Sequence, residues 1–398
     1  MDYQLIATTT FGIEAVTARE LKALGYEDLK LENGKVEFEG DEMDIAIANT
    51  WLRTAERVLI KVAEFEAKTF EDLFQQTTAI NWSDYIPVNG EMHVTGKSVK
   101  STLFSVPDCQ SIVKKAIVKS MQRTYDEEIF PEDGPKYKIE VALLKDVVTL
   151  SIDTSGAGLH KRGYRTEAGE APLKETLAAS MVLLARWNFE RVLVDPFCGS
   201  GTILIEAAMI GYNMAPGLNR QFVCEEWPSM EADIFEQVRD SAKKAVKDRN
   251  LRLIGYDIDG SVLRKARKNA ENAGVSKAIE FHELDFHEFS SKNKYAYLIT
   301  NPPYGERIGE EEEVFKLNKR LGIMKKKLDT WDFNVLTSFS KFEKAFGREA
   351  DKNRKLYNGR ILSRFYQYFD NDLRQKMKAA RLKEANLEGI EGKTVNKS

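Results

Sequence analysis

Residues Asp195–Thr202 read Asp-Pro-Phe-Cys-Gly-Ser-Gly-Thr, and no other stretch limits the fold of this chain as tightly. A short apolar run, Val192–Val194, precedes them, and Ile203–Ile210 follows with the composition of a buried helix. A strand ending in an acid, then a glycine turn, then a helix is the geometry of a nucleotide-cofactor site. The glycines let the backbone turn tightly and approach a ligand closely. The helix start offers unpaired N–H groups to an anion.

A dinucleotide site would carry G-x-G-x-x-G with a pyrophosphate on the helix. Here Gly199-Ser-Gly201 is followed by Thr202-Ile-Leu204, so the third glycine is absent, and Asp195 would oppose a pyrophosphate. An acidic strand end suits a ligand with an ammonium group, such as the methionine part of S-adenosylmethionine. The carboxylate of that ligand can rest on the N–H groups around Gly199–Thr202.

Beyond this stretch, strand-like and helix-like segments alternate: 192–195, helix 202–210, 251–257, helix 260–273, 278–284, 295–300, helix 313–328 and 332–338. That order predicts a parallel α/β sheet. Asn358-Gly359 lies between Lys355–Tyr357 and Ile361–Phe369, which predicts an antiparallel hairpin at the end of the sheet. Class I methyltransferase folds end in this way, whereas a dehydrogenase sheet continues parallel. The second strand ends at Asp257, placed to accept from two ribose hydroxyls. Asp259 reads as the N-cap of the next helix. The third strand ends at Asp285-Phe286, with Asp285 able to accept from an adenine amino group and Phe286 offering an apolar face.

After the fourth strand comes Asn301-Pro-Pro-Tyr304. Two prolines hold this loop extended. The Asn301 side-chain oxygen and the Pro302 carbonyl can both accept from one exocyclic NH₂ group, which aims the nitrogen lone pair at a methyl donor. Tyr304 can stack on the base that carries it. Such a transfer rests on positioning and local electrostatics.

The first 155 residues read as two α+β modules. Residues 4–8 and 35–39 are strand-like, 13–24 reads as a helix, and 69–80 reads as a helix capped by Thr69. A further amphipathic helix spans 108–123, and strands 137–144 and 147–153 flank Lys145-Asp146. Lysines at 97–100 and 114–123 form either a solvated face or a track for a phosphate backbone.

The chain has 398 residues and a net charge of −3, which excludes a uniformly basic nucleic-acid coat but not a local basic face. No signal peptide or membrane span is read. Cys109, Cys198 and Cys224 are far apart and have no metal-ligand spacing, so a reducing, cytoplasmic setting without a metal is expected. His93, His160, His282 and His287 have no nucleophile partner or metal spacing. Cys198 reads as a small residue packed under the glycine turn. Glu206 faces either the cofactor or solvent. Lys316, Lys319, Arg320 and Lys325–Lys327 read as a solvated helix face or as phosphate contacts.

Taken together, DPFCGSGT, GYDID, ELDF and NPPYGERIG resemble the class I S-adenosylmethionine-dependent amino-methyltransferases. The resemblance extends to the THUMP-containing subfamily that methylates guanine N2 in large-subunit (23S) ribosomal RNA, whose members are often labelled adenine-N6-specific DNA methylases. It covers residues 1 to about 370. It takes in His160-Lys-Arg-Gly-Tyr-Arg165 with Ala171–Leu177, a family segment that closes over the methionine end of the cofactor, and the insertion Ala215–Arg220 leading to Glu226-Trp227. The THUMP resemblance rests on Thr54–Val58, Phe70–Phe74, Ile80–Trp82 and Lys114–Ile117, and it implies RNA contact.

By this resemblance the cofactor residues are Asp195, Phe197, Gly199, Gly201, Thr202, Asp257, Asp285 and Phe286. The catalytic loop is Asn301, Pro302, Pro303 and Tyr304. The implied organisation is an N-terminal ferredoxin-like segment over 1–44, a THUMP domain over 45–155, a Rossmann-like methyltransferase domain over 156–370 and a charged tail over 371–398. Methylation of adenine N6 in DNA or RNA, and a catalytically inactive RNA-binding or assembly factor, are the alternative readings.

Overall fold

The computed structural model describes residues 2–165, 173–304, 311–359 and 361–370. The expected helix start at Ala171-Pro172, residues 305–309 of the NPPYGERIG motif, and the tail over 371–398 lie outside them. The chain divides into two compact units, Met1–Ser180 with Tyr212–Asp248, and Met181–Gly211 with Arg249–Ser398.

The first unit is built on β1 (Tyr3–Thr9), β2 (Lys30–Glu32), β3 (Lys35–Gly40), β4 (Ala55–Glu66), β5 (Glu91–Val99), β6 (Lys136–Leu144) and β7 (Val147–Asp153). They form one sheet in the order β2-β3-β1-β4-β7-β6-β5, so the two α+β modules share a sheet through the β1–β4 pairing. Neighbours are antiparallel except β5 and β6. Along β6, Tyr137, Ile139, Val141 and Leu143 are buried while the residues between them are not, the period of a half-buried strand. Lys145 and Asp146 both sit at positive φ, the two-residue turn whose twist suits a hairpin.

Helix signals hold where a cap is written into the chain. Thr69 accepts from the Asp72 N–H and Asp72 answers back, closing a capping box on the helix Phe70–Ala79. The helix expected over 108–123 runs Val106–Met121 instead, because Pro107 fits its first turn.

Residues Tyr212–Asp248 interrupt the sequence of the second unit but pack with the first. Phe222, Trp227 and Phe235 join its core. The Trp227 ring stacks on Tyr137 with centroids 4.6 Å apart, and its Nε1 donates to the Lys136 carbonyl at 2.9 Å. Arg220 donates to the carbonyls of Ser155, Ala157, Gly158 and Lys161. The helix Ile234–Lys244 in this insertion is absent from the sequence-based expectation, although Ile234, Phe235, Val238 and Ala242 mark one buried face.

The second unit is built on β8 (Leu193–Asp195), β9 (Leu253–Asp257), β10 (Ile279–Glu283), β11 (Tyr297–Thr300), β12 (Asp332–Thr337), β13 (Lys352–Asn358) and β14 (Ile361–Tyr368). Their order is β10-β9-β8-β11-β12-β14-β13. The first five run parallel, and β14 and β13 return antiparallel as the expected hairpin. The strand order reverses between β8 and β11, so the carboxyl ends of those strands border the crevice where ligands bind in such sheets.

Trp227→Ala removes a stacked ring and a buried hydrogen bond from the first unit. A loss of about 3–5 kcal/mol is expected in denaturant unfolding, and a change below ~1 kcal/mol would show that the insertion contributes little to that core.

Candidate active site

Asp195 ends β8 at 1% exposure. Thr300, at the end of β11, donates through Oγ1 to Asp195 Oδ1 at 2.6 Å, and the Phe197 N–H donates to the same oxygen at 3.2 Å. One carboxylate therefore joins the ends of two neighbouring strands to the start of the glycine turn. Burial pushes its pKa up to about 7. The two hydrogen bonds oppose that shift, and the charge of Asp257 adds to it.

The turn itself is held from three sides. Gly199 and Gly201 sit at positive φ, +52° and +82°, which L side chains rarely adopt. The Gly199 N–H donates to Asp257 Oδ2 at 2.9 Å, and the Gly201 N–H donates to the Cys198 carbonyl at 2.8 Å. Asn269, from the helix Gly260–Asn272, donates to the Ser200 carbonyl at 3.1 Å. These bonds revise the expected anion cradle, since Gly199 and Gly201 already use their N–H groups within the protein. Thr202 is buried as the first residue of its helix.

Asp257 is half-buried, and its Oδ1 accepts from the Asp259 N–H at 3.0 Å. Asp259 caps the following helix by accepting from the Ser261 N–H. Asp285 accepts from the His287 N–H at 2.8 Å and caps a short turn. Phe286 is 4% exposed and packs on the Phe197 ring at 4.6 Å. It is thus a core residue that supports Phe197.

The Asn301–Tyr304 loop follows β11. Asn301 and Tyr304 are half-buried, Pro302 is buried and Pro303 is exposed. The Tyr304 hydroxyl donates to Asn301 Oδ1 in a short hydrogen bond.

Among the secondary expectations, Cys198 stands as read and others change. Cys198 is buried, and burial drives its thiol pKa far up, which leaves an inert packing residue. Glu206 is fully buried and faces no solvent. Lys325 is also buried and donates to the Asp329 carbonyl, and Arg320 donates to the His287 carbonyl, so neither belongs to a free basic face. The segment around His160 is tied into the first unit at Glu56, which accepts from Lys174 at 3.0 Å and Thr176 at 2.7 Å and lies 3.5 Å from His160. Thr300 and Asn269 escaped the sequence reading. Their only signal is a polar residue where an apolar one is due, at a strand end and on a buried helix face.

The residues fit an adenosylated sulfonium cofactor. A Cβ at Gly199 would meet no atom within 4 Å, so the space over the turn is open. Asp195, Asp257 and Asp285 end or follow three adjacent parallel strands around that space. Together with the terminal hairpin and the Asn301–Tyr304 loop, this arrangement defines a class I methyltransferase domain.

Family models agree, matching an RMKL-like methyltransferase domain at residues 162–367, an RlmL ferredoxin-like domain at 4–59 and a THUMP domain at 67–153. The chain belongs to the RMKL-like methyltransferase family. It is 50% identical over 379 residues to a Bacillus subtilis (strain 168) protein named "Putative RNA methyltransferase YpsC", covering 94% of this chain and 98% of that one. It is 34% identical to the ribosomal RNA large subunit methyltransferase K/L of Marinomonas sp. (strain MWYL1), covering 92% of this chain but 52% of that protein, so it spans about half the length of such relatives. A solved structure titled "Crystal structure of SMU.472, a putative methyltransferase complexed with SAH" superposes with a TM-score of 0.87 at 45% identity and covers 92% of this chain and 98% of that one.

Because folded Asp195 keeps its proton up to about pH 7, against 3.8 for a free carboxyl, it makes stability fall as pH rises through that window. Asp195→Asn should remove that fall, which is on the order of 2–4 kcal/mol. Unfolding in denaturant at pH 5 and pH 8 compares the two proteins, and parallel pH profiles would overturn the assignment.

Proposed function

We propose that this protein transfers a methyl group from S-adenosylmethionine to an exocyclic amino group of a base in RNA, guanine N2 of large-subunit ribosomal RNA. The observation that carries this reading is the Asn301–Tyr304 loop at the carboxyl end of β11, one strand from the acid and glycine turn of β8. The THUMP match and the large-subunit K/L relatives support RNA and that target class.

When bound, the cofactor supplies an activated methyl group on a positively charged sulfur. Asp257 accepts from the ribose hydroxyls, Asp285 accepts from the adenine amino group, and Phe197, propped by Phe286, lies against the base. Asp195 faces the ammonium end in its ionised form, which the positive charge stabilises. The target base leaves its stack and enters beside Tyr304. Its amino group takes the place of the Tyr304 hydroxyl on Asn301 Oδ1 and donates a second hydrogen bond to the Pro302 carbonyl. Both acceptors stabilise the positive charge that develops on the nitrogen during transfer. The rigid prolines hold them in place without reorganisation. Tyr304 is released to stack on the base.

Nucleosides digested from the RNA and DNA of a deletion strain, and of that strain carrying the wild-type or the Asn301→Ala gene, test the reaction by mass spectrometry. N2-methylguanosine should vanish from RNA in the deletion, return with the wild type and stay absent with Asn301→Ala. Loss of N6-methyladenine instead would move the target to adenine, and full activity of Asn301→Ala would remove Asn301 from catalysis.

Asp257 serves both the ribose and the Gly199 N–H, so Asp257→Ala should weaken S-adenosylmethionine at least ~10-fold in calorimetry, the equivalent of one charge-assisted hydrogen bond. An unchanged affinity would exclude it from the cofactor site.

A further inference from the structure

The terminal hairpin carries charges that its own fold leaves unbalanced. Lys355 on β13 stands opposite Arg364 on β14 in the strand register. Like charges directly opposite in an antiparallel pair destabilise it. Among the described residues neither has an acidic partner, and Arg364 donates only to Asn353 Oδ1, at 3.1 Å. Lys352, also exposed, lies three residues from Lys355 and so on the other face of β13. Lysines on an edge strand ordinarily block edge-to-edge pairing. That accounts for β13, the outermost strand, but not for Arg364, because β14 is an inner strand between β12 and β13.

Several basic residues of the first unit show the opposite pattern. Lys97 pairs with Glu140, Lys114 with Glu132, and Lys61 with both Glu37 and Glu64. Of the expected phosphate track, Lys97 and Lys114 are neutralised in this way, whereas Lys100, Lys115, Lys119 and Arg123 have no acidic partner among the described residues.

The register also places the hairpin at the reacting end of the sheet. Thr300, just before the catalytic loop, pairs with Val335, and Val335 pairs with Tyr366. From the level of Tyr366, β14 continues back through Arg364 to Ile361, five residues beyond Thr300 towards the side of the Asn301–Tyr304 loop. At ~3.3 Å per residue the hairpin overhangs that end by roughly 16 Å, about two strand spacings, ~10 Å, to one side. Next to the turn, Tyr357 pairs with Leu362, which is 49% exposed although apolar. By strand alternation this pair shares a face with Lys355 and Arg364.

We infer that the β13–β14 hairpin is a second substrate contact, in which Lys355 and Arg364 hold phosphates two or three nucleotides from the flipped one and the Tyr357–Leu362 pair receives a base of that stretch. This inference rests on the RNA methyltransferase reading. A phosphate between the two cations relieves their repulsion, so the hairpin is more favourable with RNA than without it. A span of about 10–16 Å from the catalytic loop suits nucleotides two or three removed from the target, at ~6 Å per extended nucleotide. An apolar pair beside a basic pair is the combination that single-stranded RNA uses, with stacking next to backbone neutralisation.

The test uses the full-length protein and protein-free large-subunit ribosomal RNA from cells lacking the enzyme. Lys355→Ala/Arg364→Ala should raise Kd and KM for this RNA ~10-fold and lower the slope of log K against log salt by about 1.4, the value for two lost phosphate contacts on a single strand. kcat at saturating RNA and the affinity for S-adenosylmethionine should hold, and the melting temperature should be unchanged or higher. Lys355→Gln/Arg364→Gln, which keeps the long side chains, should reproduce the loss, and Lys355→Arg should restore binding. If the wild type binds and methylates the RNA while both double variants keep its Kd and salt slope, the hairpin contact is overturned and the RNA reading stands. If the wild type neither binds nor methylates it, both fail.

Discussion

The buried carboxylate of Asp195 is the contact on which the site depends. Thr300 and the Phe197 N–H both donate to one of its oxygens, so the end of β8, the end of β11 and the glycine turn share a single anchor. The Asn301–Tyr304 loop begins at the residue after Thr300. Cofactor side and substrate side are thereby registered against each other by one group, and burial keeps that group protonated near neutrality until a positive charge approaches. An acid held this way is costly to ionise in the empty protein, a cost that a cationic ligand removes.

Asp257 repeats the device on the other side of the turn. It grips Gly199 with one oxygen and the Asp259 N–H with the other. The turn is therefore shaped by carboxylates whose remaining accepting capacity points to a ligand, and Asn269 closes its third side from a helix. The hairpin extends the same logic outward. Inside the site, carboxylates are held by hydrogen bonds within the protein, whereas at the overhanging hairpin like charges are placed together with no acidic partner among the described residues. Opposite treatment of charge at the two places separates a cofactor cradle from a surface that meets a polyanion.

Much of this was legible in the chain. The alternation of strands and helices after residue 190, the hairpin at Asn358-Gly359, the Thr69 cap and the strand-end acids all rest on local rules, which act within a few residues. What was not legible depended on distant partners. Phe286 reads as a face for a base but is a buried support for Phe197. Lys325 and Arg320 read as a free basic face but are spent on nearby carbonyls. The glycine turn reads as a row of open N–H groups, yet Asp257, 58 residues on, takes one of them. The insertion Tyr212–Asp248 reads as part of the domain that it interrupts, and it packs with the first unit through Trp227 and Tyr137.

The sequence by itself determined the class of chemistry, because an acid-ended strand, a two-glycine turn and Asn-Pro-Pro-Tyr are each read within a handful of residues, where backbone sterics and side-chain type decide the outcome. Tertiary structure alone decided which polar groups remain available to a ligand. That follows from hydrogen bonding itself: a donor or acceptor is free only when no other part of the fold has reached it, and Thr300 reaches Asp195, and Asp257 reaches Gly199, from strand ends far away in the chain.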